Sequence, residues 1–192
     1  MNFYSQIGQD RLVIKYLNNK KNGSFVDIGC GYPKTINNTY VLETEFGWNG
    51  ISIDLIDFLE DTGEEWGSLR KTKRVLTDAL KVDYKELFRL SNMPKRIDYL
   101  SMDLEPPSLT LECLFKIPFD EYSFNIITFE VDKNREGDID RIKESRELLS
   151  SNGYTLIGSI CSGQDDVYIH NSLMESIKDM NFKDENIIWT LN

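Results

Sequence analysis

Two rhythms of apolar residues alternate along the chain. Within residues 9–17, Leu12 with Val13 and Tyr16 with Leu17 stand one turn apart, which predicts an amphipathic helix that the polar stretch 18–23 ends. Residues 24–33, SFVDIGCGYP, open with a run of β-formers, Phe25, Val26 and Ile28, which Gly29 and Gly31 terminate. Asn37 or Asn38 is placed to cap a helix reaching Phe46, with Gly47 as its stop, and 50–55 is the next strand. The alternation continues with a helix within 57–68, a strand around 74–77, a helix within 83–90 and a strand over 97–103. A helix near 108–116, a strand over 124–130 and a helix over 138–149 complete it, and the mostly apolar strands suit a parallel sheet covered on both faces.

The ending breaks the period. Residues 153–160 and 167–170 read as strands joined by too few residues for a crossover helix, so they pair antiparallel. The fold class is therefore α/β: five parallel strands closed by a C-terminal antiparallel hairpin, with helices on both faces. Such a sheet is Rossmann-like but distinct from that of a dinucleotide dehydrogenase, whose strands are all parallel, and it is the outline of a methyltransferase.

Composition narrows the class. A length of 192 residues fits a single domain over 1–192, and the net charge of −10 repels phosphate backbones, which argues against a nucleic-acid partner. The local basic cluster Arg70, Lys71, Lys73 and Arg74 reads as a solvated loop ahead of a strand. Cys30, Cys113 and Cys161 are widely spaced without zinc or disulfide pairing, which suits a reducing compartment. The polar N-terminus and the lack of a long apolar run predict neither a signal peptide nor a membrane partner, hence a cytoplasmic protein.

In open α/β sheets, ligands bind beyond the carboxyl ends of the strands where strand order reverses, which places Gly29 and Gly31 at the site. Asp27, an acid inside an apolar strand, must face something that offsets its burial. Asp54 ends the next strand about 25 residues after the first glycine, suited to both hydroxyls of a ribose or to capping the following turn. The turn continues Tyr32-Pro33-Lys34 without the third glycine a pyrophosphate wants, so a phosphate-free cofactor, S-adenosylmethionine (SAM), fits best. Asp78, in TDAL after the third strand, is then placed for the adenine amino group or is an ordinary turn residue.

Asp103 and Glu105 end one strand, and Glu130 and Asp132 end the next; if those strands are neighbours, about 5 Å apart, four carboxylates converge. Close carboxylates need a compensating cation or shared proton. A sulfonium, a divalent ion such as Mg²⁺ held by Asp103, Glu130 and Asp132, or Lys133 and Arg135 could supply the charge; otherwise the acids cap the following helix or sit solvated in loops. Asp103, Glu105 and Glu130 are the candidate catalytic acids. His170, the only histidine, reads as structural, and Trp48, Trp66 and Trp189 as packing residues.

The segments YSQIGQD at 4–10, FVDIGCGYP at 25–33, NNTYVLE at 37–43, GWNGISID at 47–54, IDYLSMDLE at 97–105 and ITFEVD at 127–132 together resemble the FkbM family of SAM-dependent methyltransferases. The resemblance implies a class I methyltransferase fold and methyl transfer to oxygen, foremost to a hydroxyl of a small acceptor such as a sugar unit of a glycan. It also implies SAM contacts at Gln6, Asp27, Gly29, Asn38 and Asp54. Pro106, Pro107 and Ser108 stand where the family continues with Gly and a second acid, and Val131 and Asp132 replace a histidine after Glu130. Two other readings are a SAM-binding interaction module without catalysis and a nucleotide-sugar or dinucleotide enzyme.

Overall fold

The computed structural model describes residues 1–59, 63, 65–132, 139–178 and 189–190. Helix α1 (Gln9–Tyr16) precedes strand β1 (Ser24–Ile28); α2 (Tyr40–Phe46), β2 (Asn49–Asp54), α3 (Trp66–Leu69) and β3 (Lys73–Leu76) follow. Then come α4 (Tyr84–Leu90), β4 (Arg96–Met102), α5 (Pro107–Leu114), β5 (Ser123–Glu130) and α6 (Ile139–Ser151). Strands β6 (Tyr154–Ile160) and β7 (Asp165–His170), helix α7 (Met174–Ile177) and the two-residue β8 (Trp189–Thr190) end the order. Among the described residues no helix is long and apolar enough to cross a membrane.

The sheet runs β3-β2-β1-β4-β5-β7-β6-β8. The first five strands pair in parallel, and β7 lies antiparallel between β5 and β6, as the short connection after residue 160 requires. Strand order reverses between β1 and β4, so the carboxyl ends of these two strands frame the crevice. The pleat divides the apolar residues. Val26, Ile28, Leu100, Met102 and Phe129 pack with Tyr84, Phe88 and Leu111 on one face. Phe25, Tyr99, Ile126, Val167 and Ile169 pack with Leu12, Val13, Val41 and Leu42 on the other. Both faces are dry, which is why the parallel strands read as nearly continuous apolar runs.

Two local expectations are corrected. Neither Asn37 nor Asn38 caps α2: Thr39 occupies the cap position, and its Oγ1 donates to Asp27 (2.8 Å) instead of closing the helix. Asn37 accepts from Thr39 N (3.0 Å) and donates to the carbonyls of Cys30 and Tyr32 (2.9 Å each), while Asn38 Nδ2 donates to Ser101 (2.9 Å). The basic cluster is a solvated loop only in part: Lys71 and Lys73 are exposed, but the two arginines are not. Arg70 is 3% exposed, and Arg74 pairs with Asp57 (2.9 Å) and lies over the Trp66 ring.

Arg70 shows what the fold does with a buried cation. Its Nε pairs with Glu43, Nη1 donates to Pro33 O (3.2 Å) and Asn37 Oδ1 (3.1 Å), and Nη2 donates to Thr39 Oγ1 (3.0 Å). Glu43 also accepts from Lys71 N, from Thr72 N (3.0 Å) and from Thr72 Oγ1 (2.5 Å), so α2, the post-glycine loop and the chain entering β3 are tied at one point. Trp48 and Trp66 are buried, donating their indole N–H groups to Lys20 O (2.8 Å) and Thr72 O (3.0 Å). The side chain of Trp189, and Lys133 and Arg135, lie outside the described residues.

Candidate active site

The site is built at the carboxyl edge of the sheet. Asp103 N donates to Ile28 O (2.9 Å), continuing the β1–β4 ladder past the glycine turn. Met102 pairs with Phe129, which carries Asp103 next to Glu130, and Glu130 stands directly opposite Asp165 of β7. Three carboxylates thus stand side by side on neighbouring strands, all on the face that α1 and α2 cover.

Two cavities meet at Asp103 and Glu105. The first, of about 320 Å³, is lined by Gly29, Gly31, Asp54, Asp78 and the apolar Leu55, Phe58 and Leu80. The second, of about 270 Å³, is lined by Asp103, Glu105, Glu130, Asp132 and Asp165 with Gln6, Gln9 and Gln164. One is mostly apolar and wide enough for a nucleoside; the other is almost entirely acidic and polar.

Glycine is required at the seam for steric reasons. Gly29 has φ +80°, and a Cβ there would lie 1.8 Å from the Asp103 carbonyl oxygen. At Gly31, φ +61°, a Cβ would meet nothing within 4 Å, so this residue keeps the first cavity open. Asp54 accepts from Gly31 N (2.8 Å) and Ile56 N (3.0 Å), so it holds both turns while half-facing the cavity. Asp78 accepts from Leu80 N (2.9 Å), capping a short turn of 3₁₀ helix on the same wall.

Asp27 and Asn38 line neither cavity. Asp27 is 1% exposed, one of its oxygens lacks a partner, and burial pushes its pKa up to about 6 against the pull of Thr39 and Arg70. The native state then holds the proton more tightly than the unfolded chain, so stability is full below pH ~4 and declines as pH rises to about 6. Asp27→Asn keeps the shape and removes the charge. It raises unfolding free energy by about 1–3 kcal/mol at pH 8 and leaves it unchanged at pH 4. Urea unfolding at the two pH values reads this directly, and equal effects at both would assign the residue to packing alone.

The acidic cavity is electrostatically loaded. Burial and its neighbours Asp103 and Asp165 push Glu130 well up, and Asp103 is raised by burial and by Glu105 and Asp54. Each of the two carboxyl groups shifts the proton affinity of the other, so they titrate as a pair. Asp165, 4% exposed, is raised to about 7 by burial and Asp103, although Gln9 Nε2 donates to it at 3.0 Å. The bland expectations for these acids hold only for Glu105, which is exposed in a bend. The N-cap of α5 is Pro106 without a side-chain cap, and one oxygen of Glu130 is buried. Among the described residues no group of three or more acidic, cysteine or histidine side chains is arranged to hold a metal ion.

Several participants escaped the sequence reading. Asp10, buried in the first turn of α1, accepts from Tyr4 N (2.8 Å), Ser5 N (3.2 Å) and Ser5 Oγ (2.5 Å), and so folds the YSQIGQD loop that carries Gln6 and Gln9 to the acids. Gln164 O accepts from Val131 N (2.7 Å) and Asp132 N (2.9 Å), and Arg141 donates to the carbonyls of Pro107 (3.2 Å), Glu130 (3.4 Å) and Val131. These bonds fix the end of β5. Asp165 carried one legible signal, an acid beside an apolar strand core. His170 sits at the other end of β7, its ring 5.3 Å from Tyr154 and its Nδ1 near Ser172 (3.0 Å), in the structural role expected.

No protein-family model matches the chain, and none of the curated protein sequences is similar to it. Solved structures match its fold. An O-methyltransferase from Bacillus cereus in complex with S-adenosylhomocysteine (SAH) is 14% identical at TM-score 0.56, over 86% of this chain and 81% of that one. An rRNA-methylase candidate from Clostridium thermocellum is 14% identical at TM-score 0.53, over 88% and 97%. The METTL16 methyltransferase domain is 12% identical at TM-score 0.55, over 84% and 65%. The chain therefore has the Rossmann-like fold of SAM-dependent methyltransferases: a mostly parallel sheet with one antiparallel hairpin.

Proposed function

We propose that this chain is a SAM-dependent O-methyltransferase acting on a hydroxyl of a small acceptor, a sugar unit of a glycan being the favoured class, in line with its FkbM resemblance. The observation that carries the reading is the joining of a nucleoside-sized cavity to an acidic one at Asp103 and Glu105, on the strand ends flanking the point where strand order reverses. When bound, the cofactor supplies an electrophilic methyl group on a cationic sulfonium. Asp54 and Asp78 are placed to accept from its ribose and adenine, Gly31 gives it room, and the acids of the second cavity favour its positive end. A cation beside the Asp103–Glu130 pair lowers its proton affinity, which leaves a carboxylate to take the proton of an acceptor hydroxyl.

The fold also serves an rRNA-methylase candidate, so the acceptor class is argued from charge: a chain of net charge −10 with an acidic site repels a polyphosphate. A dinucleotide reading is disfavoured because Tyr32-Pro33 follows the turn in place of a third glycine.

Titration calorimetry tests the cofactor assignment. SAM and SAH bind, NAD does not, and Asp54→Ala weakens SAH by roughly 1.5–3 kcal/mol through loss of charge-assisted hydrogen bonds. Preferential binding of NAD would overturn the proposal. With SAM established, singly substituting Asp103, Glu105 and Glu130 by their amides separates proton transfer from packing: loss of kcat with SAH affinity retained marks the base. Full SAM binding with no turnover of hydroxyl acceptors would favour the non-catalytic module, to which Pro106 and Pro107 already lend weight.

A further inference from the structure

A third cavity, of about 370 Å³, adjoins the acidic one and shares Gln6 and Ile7 with it. The three therefore run in series along the carboxyl edge: nucleoside-sized, acidic, then this one. If the first two take the cofactor, the third offers the acceptor an approach through the shared wall at Gln6 and Ile7, since in-line transfer needs its oxygen on the side of the methyl group away from the leaving sulfur. The chemistry of the third cavity differs from its neighbour's. Its lining is Phe3, Ser5, Gln6, Ile7, Gly8 and Arg11 with Cys161, so its one formal charge is positive.

Arg11 is pre-positioned. It projects from the first turn of α1, and its guanidinium carbon lies 4.1 Å from the centroid of the Phe3 ring, which holds the planar fork by stacking while leaving its N–H edge available. It makes no ion pair among the described residues. The nearest acid in sequence, Asp10, is buried, with its oxygens accepting from Tyr4, Ser5 and Arg11 N. A guanidinium fork held on an aromatic face beside an amide, in a cavity of monosaccharide size, suits an anionic group on an otherwise hydroxyl-rich ligand.

We propose that the acceptor is anionic: its carboxylate or phosphate docks on Arg11 in the Phe3–Gly8 cavity, and its hydroxyl end reaches past Gln6 to the acids. This rests on the methyltransferase reading of the two inner cavities. The anchor and the acids have opposite charge, so they also orient the ligand, because the reversed pose sets an anion against Glu130 and Asp103.

The test is calorimetry on SAH-saturated protein at low salt with four probes: glucuronate, glucose 6-phosphate, uncharged methyl glucoside and inorganic phosphate. At least one anionic sugar binds tenfold or more tightly than methyl glucoside. Glucuronate in the lead assigns a carboxylate, and glucose 6-phosphate with inorganic phosphate assigns a phosphoryl group. Arg11→Gln removes the preference while leaving SAH affinity unchanged, Arg11→Lys retains part of it, and Phe3→Leu, which frees the fork, weakens it with the charge intact. Methyl glucoside binding as well as the anions, no binding of any probe to protein that has bound SAH, or a preference that survives in a folded Arg11→Gln overturns the proposal. Failure to bind SAH itself would instead overturn the methyltransferase reading, so the two are distinguished.

Discussion

Arg70→Met lowers the unfolding free energy by about 3–5 kcal/mol. The substitution preserves much of the side-chain volume and removes the charge that Glu43 faces. Glu43 is itself buried, and its pKa is held below the usual range by the Arg70 charge and by bonds from Thr72, Arg70 and Lys71 against the opposing pull of burial. Without Arg70 the carboxylate must take up a proton or remain as an uncompensated buried charge, and Pro33 O, Asn37 Oδ1 and Thr39 Oγ1 lose their donor at the same time. Against a total stability on the order of 5–15 kcal/mol, that loss is a large fraction. Adding Glu43→Gln to Arg70→Met restores part of it, since the stranded charge is gone. Urea midpoints for the two single variants and the double variant close the cycle. A loss under about 1 kcal/mol for Arg70→Met would show that solvent reaches the pair.

Arg70 also marks where sequence reading stops. In RKTKR it is indistinguishable from Lys71, Lys73 and Arg74, because local sequence does not reveal that Glu43 and Thr39, roughly 30 residues earlier, close over it. The strands were legible because both faces of the sheet are dry, so β1, β4 and β5 are nearly continuous apolar runs; the reversed β7 was legible because so short a connection, four residues in the structure, cannot make a crossover. The convergence of Asp103 with Glu130 followed from strand adjacency and the two-residue period. Asp165 needed the register between β5 and β7, and Gln9 needed the loop that Asp10 folds; both are tertiary facts. Asp27 and Asn38 show the converse, a motif position that does not by itself reveal its surroundings. Motif position suggested ligand contact, whereas the structure sets both beneath the turn, one on Thr39 and the other on Ser101.

The two glycines of the turn separate fold from function. Gly29→Ala places a methyl group 1.8 Å from the carbonyl oxygen of Asp103, and contacts under 3.0 Å do not survive in real structures, so the chain must part where Asp103 N bonds Ile28 O beside the turn. No flexible side chain can yield there, since the obstacle is backbone. The expected loss exceeds about 4 kcal/mol, in the rare range reached by steric overlap in a core, and thermal unfolding shows it with no ligand present. Gly31→Ala meets no atom within 4 Å and bears only the strain of φ +61°, about 1–2 kcal/mol, so the protein stays folded. Its new methyl group occupies the first cavity beside Asp54, whose carboxylate already holds the Gly31 N–H. SAH affinity therefore falls at least tenfold, about 1.4 kcal/mol, in a variant whose unfolding remains cooperative. If Gly31→Ala binds SAH as the parent does, the cofactor does not lie against this turn, and the cavity beside it belongs to another ligand.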